Sequence, residues 1–441
     1  MAELFLEAGP VHYVEVDEKL CNGCVLCMKV CPTKAIRVRN GLACIEGVCI
    51  NCVECVRVCP RGAIKALSVE SVDLKDSPQY GVSPSTVLYS QFGEDVLPND
   101  VLLGLKKMGF RYVHDQSYTS EIFSFATELY IREMRKKPDA LFPVISPICP
   151  VVLQLIAYRF PTLLKRVLPL ATPREIVARE AKRHISAKDG IRPKDVKILH
   201  ITPCPAMKIQ ITETVSKDPS YSERAMGINT IYQVLKKNIR EIDDDRILHH
   251  SSGVGLGWGL SGGELVGLNV KGIAVSGLHE TIRYLEKVEM GLLKDIHYFE
   301  GRVCTEGCIG GPSTVADRYQ TKNLVRRFVR MFGVEKRIRY KYMVNLYKKG
   351  WFESERDLAS LSRKSTEISI SDRIERENRI VAVLGSLPGW ECGVCGSPDC
   401  RTFAEDVVDE RAVLEGCVYV KSYRKREGRS QDSESNNGCQ T

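Results

Sequence analysis

From Thr86 onward, short apolar runs alternate with longer stretches in which apolar residues recur every three or four positions. The short runs predict strands at 87–90, 112–113, 141–145, 196–201, 272–275 and 296–299, and the longer ones predict helices such as 120–136 and 151–168. This alternation predicts an α/β domain with mostly parallel strands. In such sheets ligands gather beyond the carboxyl ends of the strands. Cys149, Cys204 and Cys304 each follow a predicted strand. Residues 68–85 are polar with two prolines and read as a linker, and 346–379 read as a second one. Residues 313–345 read as a basic amphipathic helix and its extension, with Arg318, Lys322, Arg326, Arg327 and Arg330 on a solvated face. The tail 425–441 is polar and is expected to be disordered.

Cysteine changes this picture most. The chain has 18 of them in 441 residues, and no signal-peptide pattern opens it, so metal binding is favoured over disulfides. Cys21, Cys24, Cys27 and Cys31 are followed by Pro32, and Cys49, Cys52, Cys55 and Cys59 by Pro60, every ligand recurring at an offset of 28. The offset marks an internal duplication. The spacing is that of two-cluster bacterial ferredoxins, in which the fourth cysteine of each run serves the other cluster. One cluster is then expected on Cys21, Cys24, Cys27 and Cys59, and the other on Cys49, Cys52, Cys55 and Cys31. Structural zinc is the bland alternative, and two such runs in tandem disfavour it. A further set, Cys392, Cys395, Cys400 and Cys417, follows L-P-G-W-E near the end of the chain. Cys44 and Cys439 fit no set.

Charge and composition add less. A net charge of +8 is weak support for an acidic partner such as a small ferredoxin, and too little for nucleic acid. No apolar run is long enough to span a membrane, so the expected location is the cytoplasm.

The stretch 300–312, E-G-R-V-C-T-E-G-C-I-G-G-P, carries Cys304 and Cys308 in a glycine-rich turn. With S-P-I-C-P at Cys149 and T-P-C-P-A-M-K at Cys204, it resembles the catalytic domain of iron-only (diiron) hydrogenases. The likeness covers roughly 86–335 and includes the helix motif of 149–169 and the glycine-rich G-W-G-L-S-G-G-E of 257–264. That last run also spells G-x-G-x-x-G, but no strand precedes it and no ribose-binding acid follows, which argues against a dinucleotide site. The resemblance implies a cubane on Cys149, Cys204, Cys304 and Cys308, with a two-iron subcluster bridged at Cys308 where one is bound. The last quartet, 392–417, is similar to the small 4Fe–4S domain of corrinoid iron–sulfur proteins.

Departures from the family pattern matter equally. Ile148 stands where catalytic members carry a proton-passing cysteine. Met207 stands where they carry a lysine that hydrogen-bonds a cyanide ligand, with Lys208 one place later. Thr202 and Arg302 replace methionines that flank the diiron unit. These changes resemble the sensory, hydrogenase-like branch of the family. The expected organisation is a ferredoxin-like module with two 4Fe–4S clusters (1–67), a linker (68–85), a hydrogenase-like α/β domain (86–345), a second linker (346–379), a 4Fe–4S domain (380–424) and a tail. The expected function is that of a four-cubane redox protein of an anaerobe, hydrogen-sensing or a slow hydrogenase-like oxidoreductase, exchanging electrons with a ferredoxin or signalling partner. The alternative is an electron-transfer or regulatory protein with only a cubane at its centre.

Overall fold

A computed structural model describes residues 14–66, 80–207, 210–211, 224–335, 338–354 and 369–421. The chain divides into two compact units. Met1–Ala66 with Lys364–Thr441 forms one, and Leu67–Arg363 forms the other.

In the first unit, β1 (Val14–Val16) pairs antiparallel with the later strand Ile64–Ala66. Between them β2 (Ile36–Arg39) and β3 (Leu42–Ile45) form a hairpin. Its two-residue turn, Asn40-Gly41, has positive φ at both positions, the backbone that lets a right-twisted pair close. The strand Ile64–Ala66 is β4. Short helices at Leu26–Val30 and Glu54–Val58 sit at duplicate positions, each entered through a left-handed valine, Val25 at φ 63° and Val53 at φ 57°. A β-branched residue resists that conformation, so both loops hold strain where the cysteines converge. Val14, Met28, Ile36 and Ile64 pack among the thiols.

The C-terminal segment belongs to the same unit. Helices Ile370–Gly385 and Cys400–Val408 pack through Ile380, Ala404 and Val408. Asp406 lies fully buried. It accepts from Arg37 Nε at 2.6 Å and Nη2 at 3.1 Å, from Arg39 Nη2 at 2.8 Å and from Ser397 Oγ at 2.8 Å. Val38 N also donates to Gly396 O at 2.8 Å. Two segments that the sequence reads as separate modules therefore share one unit.

The second unit holds two parallel sheets. In the first, β5 (Tyr80–Pro84), β6 (Tyr112–Val113), β8 (Lys197–Thr202) and β9 (Arg224–Gly227) lie in the order β6-β5-β8-β9. In the second, β7 (Val144–Ile145), β10 (Gly272–Ser276) and β11 (Tyr298–Arg302) lie in the order β10-β11-β7. Helices Gln116–Met134, Pro150–Arg159, Pro173–Asp189 and Arg318–Phe332 bury their apolar faces against the sheets and one another.

The predicted α/β architecture is the observed one, with local differences. Residues 87–90 form a 3-10 turn, Thr86–Ser90, instead of a strand, and Ser85 Oγ accepts from Val87 N at its start. Every residue of that turn is buried, so its unbroken apolar run is no strand signal. The strand is Tyr80–Pro84, inside the predicted linker 68–85; residues 68–79 of that linker lie outside the described residues. The predicted helix 151–168 breaks at Phe160, and Pro161–Arg166 continues as a 3-10 turn. The second predicted linker is structured at both described ends: Phe352 is buried against the hydrogenase-like core, and Ile370–Gly385 is helical. Lys208, the tail 425–441 and Cys439 lie outside the described residues.

Candidate metal centres

In the first unit the cysteines gather in the crossed pattern that the spacing predicts. Cys21, Cys24, Cys27 and Cys59 line one cavity of about 350 Å³ counting its mouth. Burial pushes the Cys27 thiol up to about 11, with Cys24 and Cys21 adding to it. The other set is joined by proximity: burial raises Cys49, Cys52 and Cys55, and the charge of Cys31 adds to each. Backbone N–H groups already face several sulfurs, with Ala35 N 3.2 Å from Cys31 Sγ, Asn51 N 3.4 Å from Cys49 Sγ and Ala43 N 3.4 Å from Cys21 Sγ. At Cys59 burial is outweighed by the N–H groups of Arg61, Ile64, Ala63 and Gly62, which hold its thiol below the ordinary range. Such bonds stabilise thiolates, and bonds to sulfur help set a cluster's potential.

Cys392, Cys395, Cys400 and Cys417 line another cavity, of about 340 Å³ counting its mouth. Cys400 opens the helix Cys400–Val408, whose start is capped by Asp399 Oδ1 accepting from Thr402 N at 2.7 Å. Cys44 stands apart; its Sγ donates to Glu46 Oε1 at 3.1 Å, and burial pushes it up to about 12.

The central quartet lies in the second unit. Cys149 caps the helix Pro150–Arg159 after β7, Cys204 follows β8 and Cys304 follows β11. Carboxyl ends of strands from both parallel sheets thus bring the ligands together. Burial raises Cys204 furthest above its ordinary value, and the charges of Cys304, Cys149 and Cys308 add to the rise. The Cys304–Cys308 turn is fixed by close backbone packing. Gly307 has φ +90°, and a Cβ there would lie 2.5 Å from Ser261 N. A Cβ on Gly311 would lie 2.5 Å from Pro203 O, beside the Cys204 loop. Glycine is required at both. Two of the quartets, Cys21, Cys24, Cys27 and Cys59 and then Cys392, Cys395, Cys400 and Cys417, each surround one cavity, as the corners of a cube require. All-cysteine donor sets of this kind fit iron–sulfur cubanes.

Beside Cys308 lies a cavity of about 460 Å³ counting its mouth, walled in part by Ile148, Met207, Trp258 and Arg302. Thr202 does not reach it; its Oγ1 accepts from Cys204 N at 3.2 Å. Arg302 is 1% exposed. Its Nη1 donates to Cys308 Sγ at 3.0 Å and its Nη2 to Glu264 Oε1 at 2.6 Å. Glu264 also accepts from Ser146 Oγ at 2.8 Å and Tyr298 OH at 2.6 Å, while Glu300 accepts from the backbone of Gly262 and Glu264. Burial opposes the charge on Arg302, but Cys308, Glu264 and Glu300 outweigh it and keep it protonated. Burial and the Glu264 charge together push Glu300 up.

Sequence reasoning missed the carboxylates of this network and Arg174, which lines the same cavity. A signal was present for one of them, because Glu264 ends a glycine-rich run in an otherwise apolar domain. That run, from Gly257, forms a 3-10 turn and a short helix with no strand before it, which leaves no dinucleotide-binding turn.

Comparison with known proteins agrees with this geometry. The family model described as "Iron only hydrogenase large subunit, C-terminal domain" matches residues 80–267, a span that contains Cys149 and Cys204 but not Cys304 or Cys308. A 4Fe-4S binding domain model matches residues 14–37, and one named FeS matches residues 387–419. The periplasmic [Fe] hydrogenase large subunit of Nitratidesulfovibrio vulgaris is 32% identical over 217 residues, 45% of this chain and 51% of that protein. This chain therefore spans about half the length of that curated relative. Two solved structures share the fold of the hydrogenase-like unit: an [FeFe]-hydrogenase HydA from a study of stepwise H-cluster assembly (TM-score 0.50, 14% identity, 64% of this chain and 92% of that one), and an apo [FeFe]-hydrogenase HydA1 variant from Chlamydomonas reinhardtii (TM-score 0.50, 14% identity, 66% and 95%). With cysteine quartets on either side of that unit's sequence and a fourth within it, the chain is an iron–sulfur protein related to the iron-only hydrogenase large subunit.

Proposed function

We propose that the chain is a cytoplasmic, four-cubane redox protein that responds to hydrogen, sensing it or turning it over slowly. Cys149, Cys204, Cys304 and Cys308 would hold the central cubane, and Cys308 would bridge to a diiron subcluster in the adjoining cavity. Cubanes supply one-electron transfer, and a diiron subcluster supplies reaction with hydrogen. The observation that carries this reading is the cavity against Cys308, walled by Ile148 and Met207. There is space beside the bridging sulfur, yet Ile148 offers no proton-carrying group. A positioned acid–base group is typically worth roughly 10²–10⁴ in rate, so its loss favours slow turnover. The three outer cubanes would connect the central site with an acidic ferredoxin or a signalling protein, and the net charge of +8 supports such a partner. No described helix is long and apolar enough to cross a membrane.

One observation favours a second reading, a centre that holds only a cubane. Arg302 already donates to Cys308 Sγ at 3.0 Å, the sulfur that a diiron unit would share. The deciding experiment supplies the maturation machinery to wild type and to Ile148→Cys, then measures infrared spectra and hydrogen evolution from reduced viologen. Carbonyl and cyanide bands with slow evolution, faster in Ile148→Cys, are expected. Wild-type turnover matching ordinary iron-only hydrogenases would overturn the sensing reading, and complete absence of those bands would favour the cubane-only centre.

A further inference from the structure

Two of the cysteine cavities in the first unit share a wall. Val38 lines the cavity of Cys21, Cys24, Cys27 and Cys59. Its backbone N–H donates to the carbonyl of Gly396, the neighbour of Cys395, at 2.8 Å. Gly393, between Cys392 and Cys395, lines the cavity of the C-terminal quartet. A Cβ on Gly393 would lie 2.9 Å from Lys29 Cε and 3.0 Å from Met28 Cε. Met28 has no exposed surface and directly follows Cys27. One layer of residues from each segment therefore separates the two sets of thiols. The approach depends on glycine, because Gly396 has φ +81° and a Cβ there would strike Val38 O.

A cation bridges the same wall. Lys29 Nζ donates to Glu391 O at 2.5 Å and to Pro398 O at 2.9 Å. Those carbonyls flank the loop that carries Cys392 and Cys395, while Lys29 itself stands between Cys27 and Cys31. Lys34 pairs with Asp399, beside Cys400, and makes a second tie. A cubane on four thiolates is an anion, and its reduction adds a further negative charge. Net charge and hydrogen bonding around a cubane help set its potential. An ammonium held between two such anions favours the reduced form of each by Coulomb attraction.

We propose that the C-terminal cubane exchanges electrons directly with the ferredoxin cubane on Cys21, Cys24, Cys27 and Cys59, across the contact of Met28 with Gly393. Lys29 is the positioning residue that joins the two loops and eases reduction on both sides. In each exchange one cubane loses one electron and the other gains it, with no bond made or broken. A one-electron donor protein supplies that electron. Tunnelling weakens steeply with distance, and close-packed atoms with no void between keep the gap short. The inference rests on the four-cubane reading for these two quartets alone and is independent of what the central cavity holds.

The test uses the full chain, purified anaerobically, with iron content and the paramagnetic spectrum followed during stepwise reduction. In wild type the ferredoxin signals should broaden as the C-terminal cubane becomes reduced. Cys417→Ala should lose about four irons and, with them, that broadening. Lys29→Gln keeps a donor for the two carbonyls but removes the charge. It should shift the reduction equilibrium of the C-terminal cubane about tenfold toward the oxidised form, about 59 mV for a one-electron couple, and Lys29→Arg should restore most of the shift. Ferredoxin signals that stay sharp in fully reduced wild type, or broadening that persists in Cys417→Ala, would overturn the exchange. The wild-type titration decides this even where Cys417→Ala fails to fold. An unchanged potential in Lys29→Gln would overturn the role of Lys29. Wild type without iron on the C-terminal quartet would remove the four-cubane reading and this exchange with it, whereas full iron without broadening strikes the exchange alone.

Discussion

Replacing Asp406 with alanine isolates what joins the two ends of the chain into one unit. The carboxylate has no solvent exposure and receives a two-pronged bond from Arg37, itself 4% exposed. Arg39 has Glu46 as a second partner, and Arg411 has Asp409. Among the described residues Arg37 has only backbone carbonyls besides Asp406, at Lys34 and Ile36. Asp406→Ala therefore leaves the Arg37 charge buried without a counter-charge. Removing one partner of a buried pair costs about 3–5 kcal/mol, because the stranded charge keeps its desolvation penalty. In a unit approaching 150 residues each kcal/mol moves the midpoint by about 2–4 °C, so the melting of the first unit should fall by at least about 6 °C. Asp406→Asn, which can still accept, should lose less. The assay is anaerobic thermal unfolding at fixed scan rate, followed by cluster absorbance. The pH dependence supplies an internal check. Burial raises the Asp406 carboxyl, but Arg37 and Ser397 outweigh it and hold it below the usual range. Its stabilisation is therefore present above the unfolded value and lost only as pH falls through the lower folded one, so pH 5 and pH 7 should show the same deficit in the mutant. A midpoint within about 3 °C of wild type would refute the view that this pair holds the unit together.

Two more outcomes follow from the hydrogenase-like unit. Burial pushes His114 down to about 4 and His200 to about 3. Because both folded values lie below the unfolded one, stability is complete above about pH 6.5 and falls as pH drops, by up to about 1.4 kcal/mol per pH unit for each group. Denaturant unfolding at pH 7.5 and 5.5 measures this, and a flat profile would contradict it. Gly307→Ala forces a side chain against Ser261 N at positive φ, a strain of about 1–3 kcal/mol. The central cluster's paramagnetic signal should weaken while those of the other three persist; equal signals in mutant and wild type would count against a rigid Cys304–Cys308 turn.

What could be read in the sequence was what depends on local spacing. Cysteine runs need short loops to bring thiols to one cube, so Cys21 to Cys27 and Cys49 to Cys55 declare themselves, and the duplication even supplies the exchange of Cys31 and Cys59. The central quartet needed the family resemblance, because three separate strand ends position it. The buried charges were not legible. Arg37 and Asp406 lie 369 positions apart, and each alone reads as a surface residue. Arg174 follows a proline at a helix start, where a charged residue is ordinarily solvated. Strand β5 was hidden by its own composition, since Gly81 and Pro84 spell a turn, while the true turn at Thr86–Ser90 is apolar because it is buried on all sides.

The most direct test of the account is the iron bound at the centre. Anaerobically purified wild type should carry roughly 16 irons per chain, four in each cubane, and Cys204→Ala should carry about four fewer with the remaining clusters spectroscopically unchanged. Wild type holding only about 12 irons, unaltered by Cys204→Ala, would contradict the assignment of a cluster to Cys149, Cys204, Cys304 and Cys308.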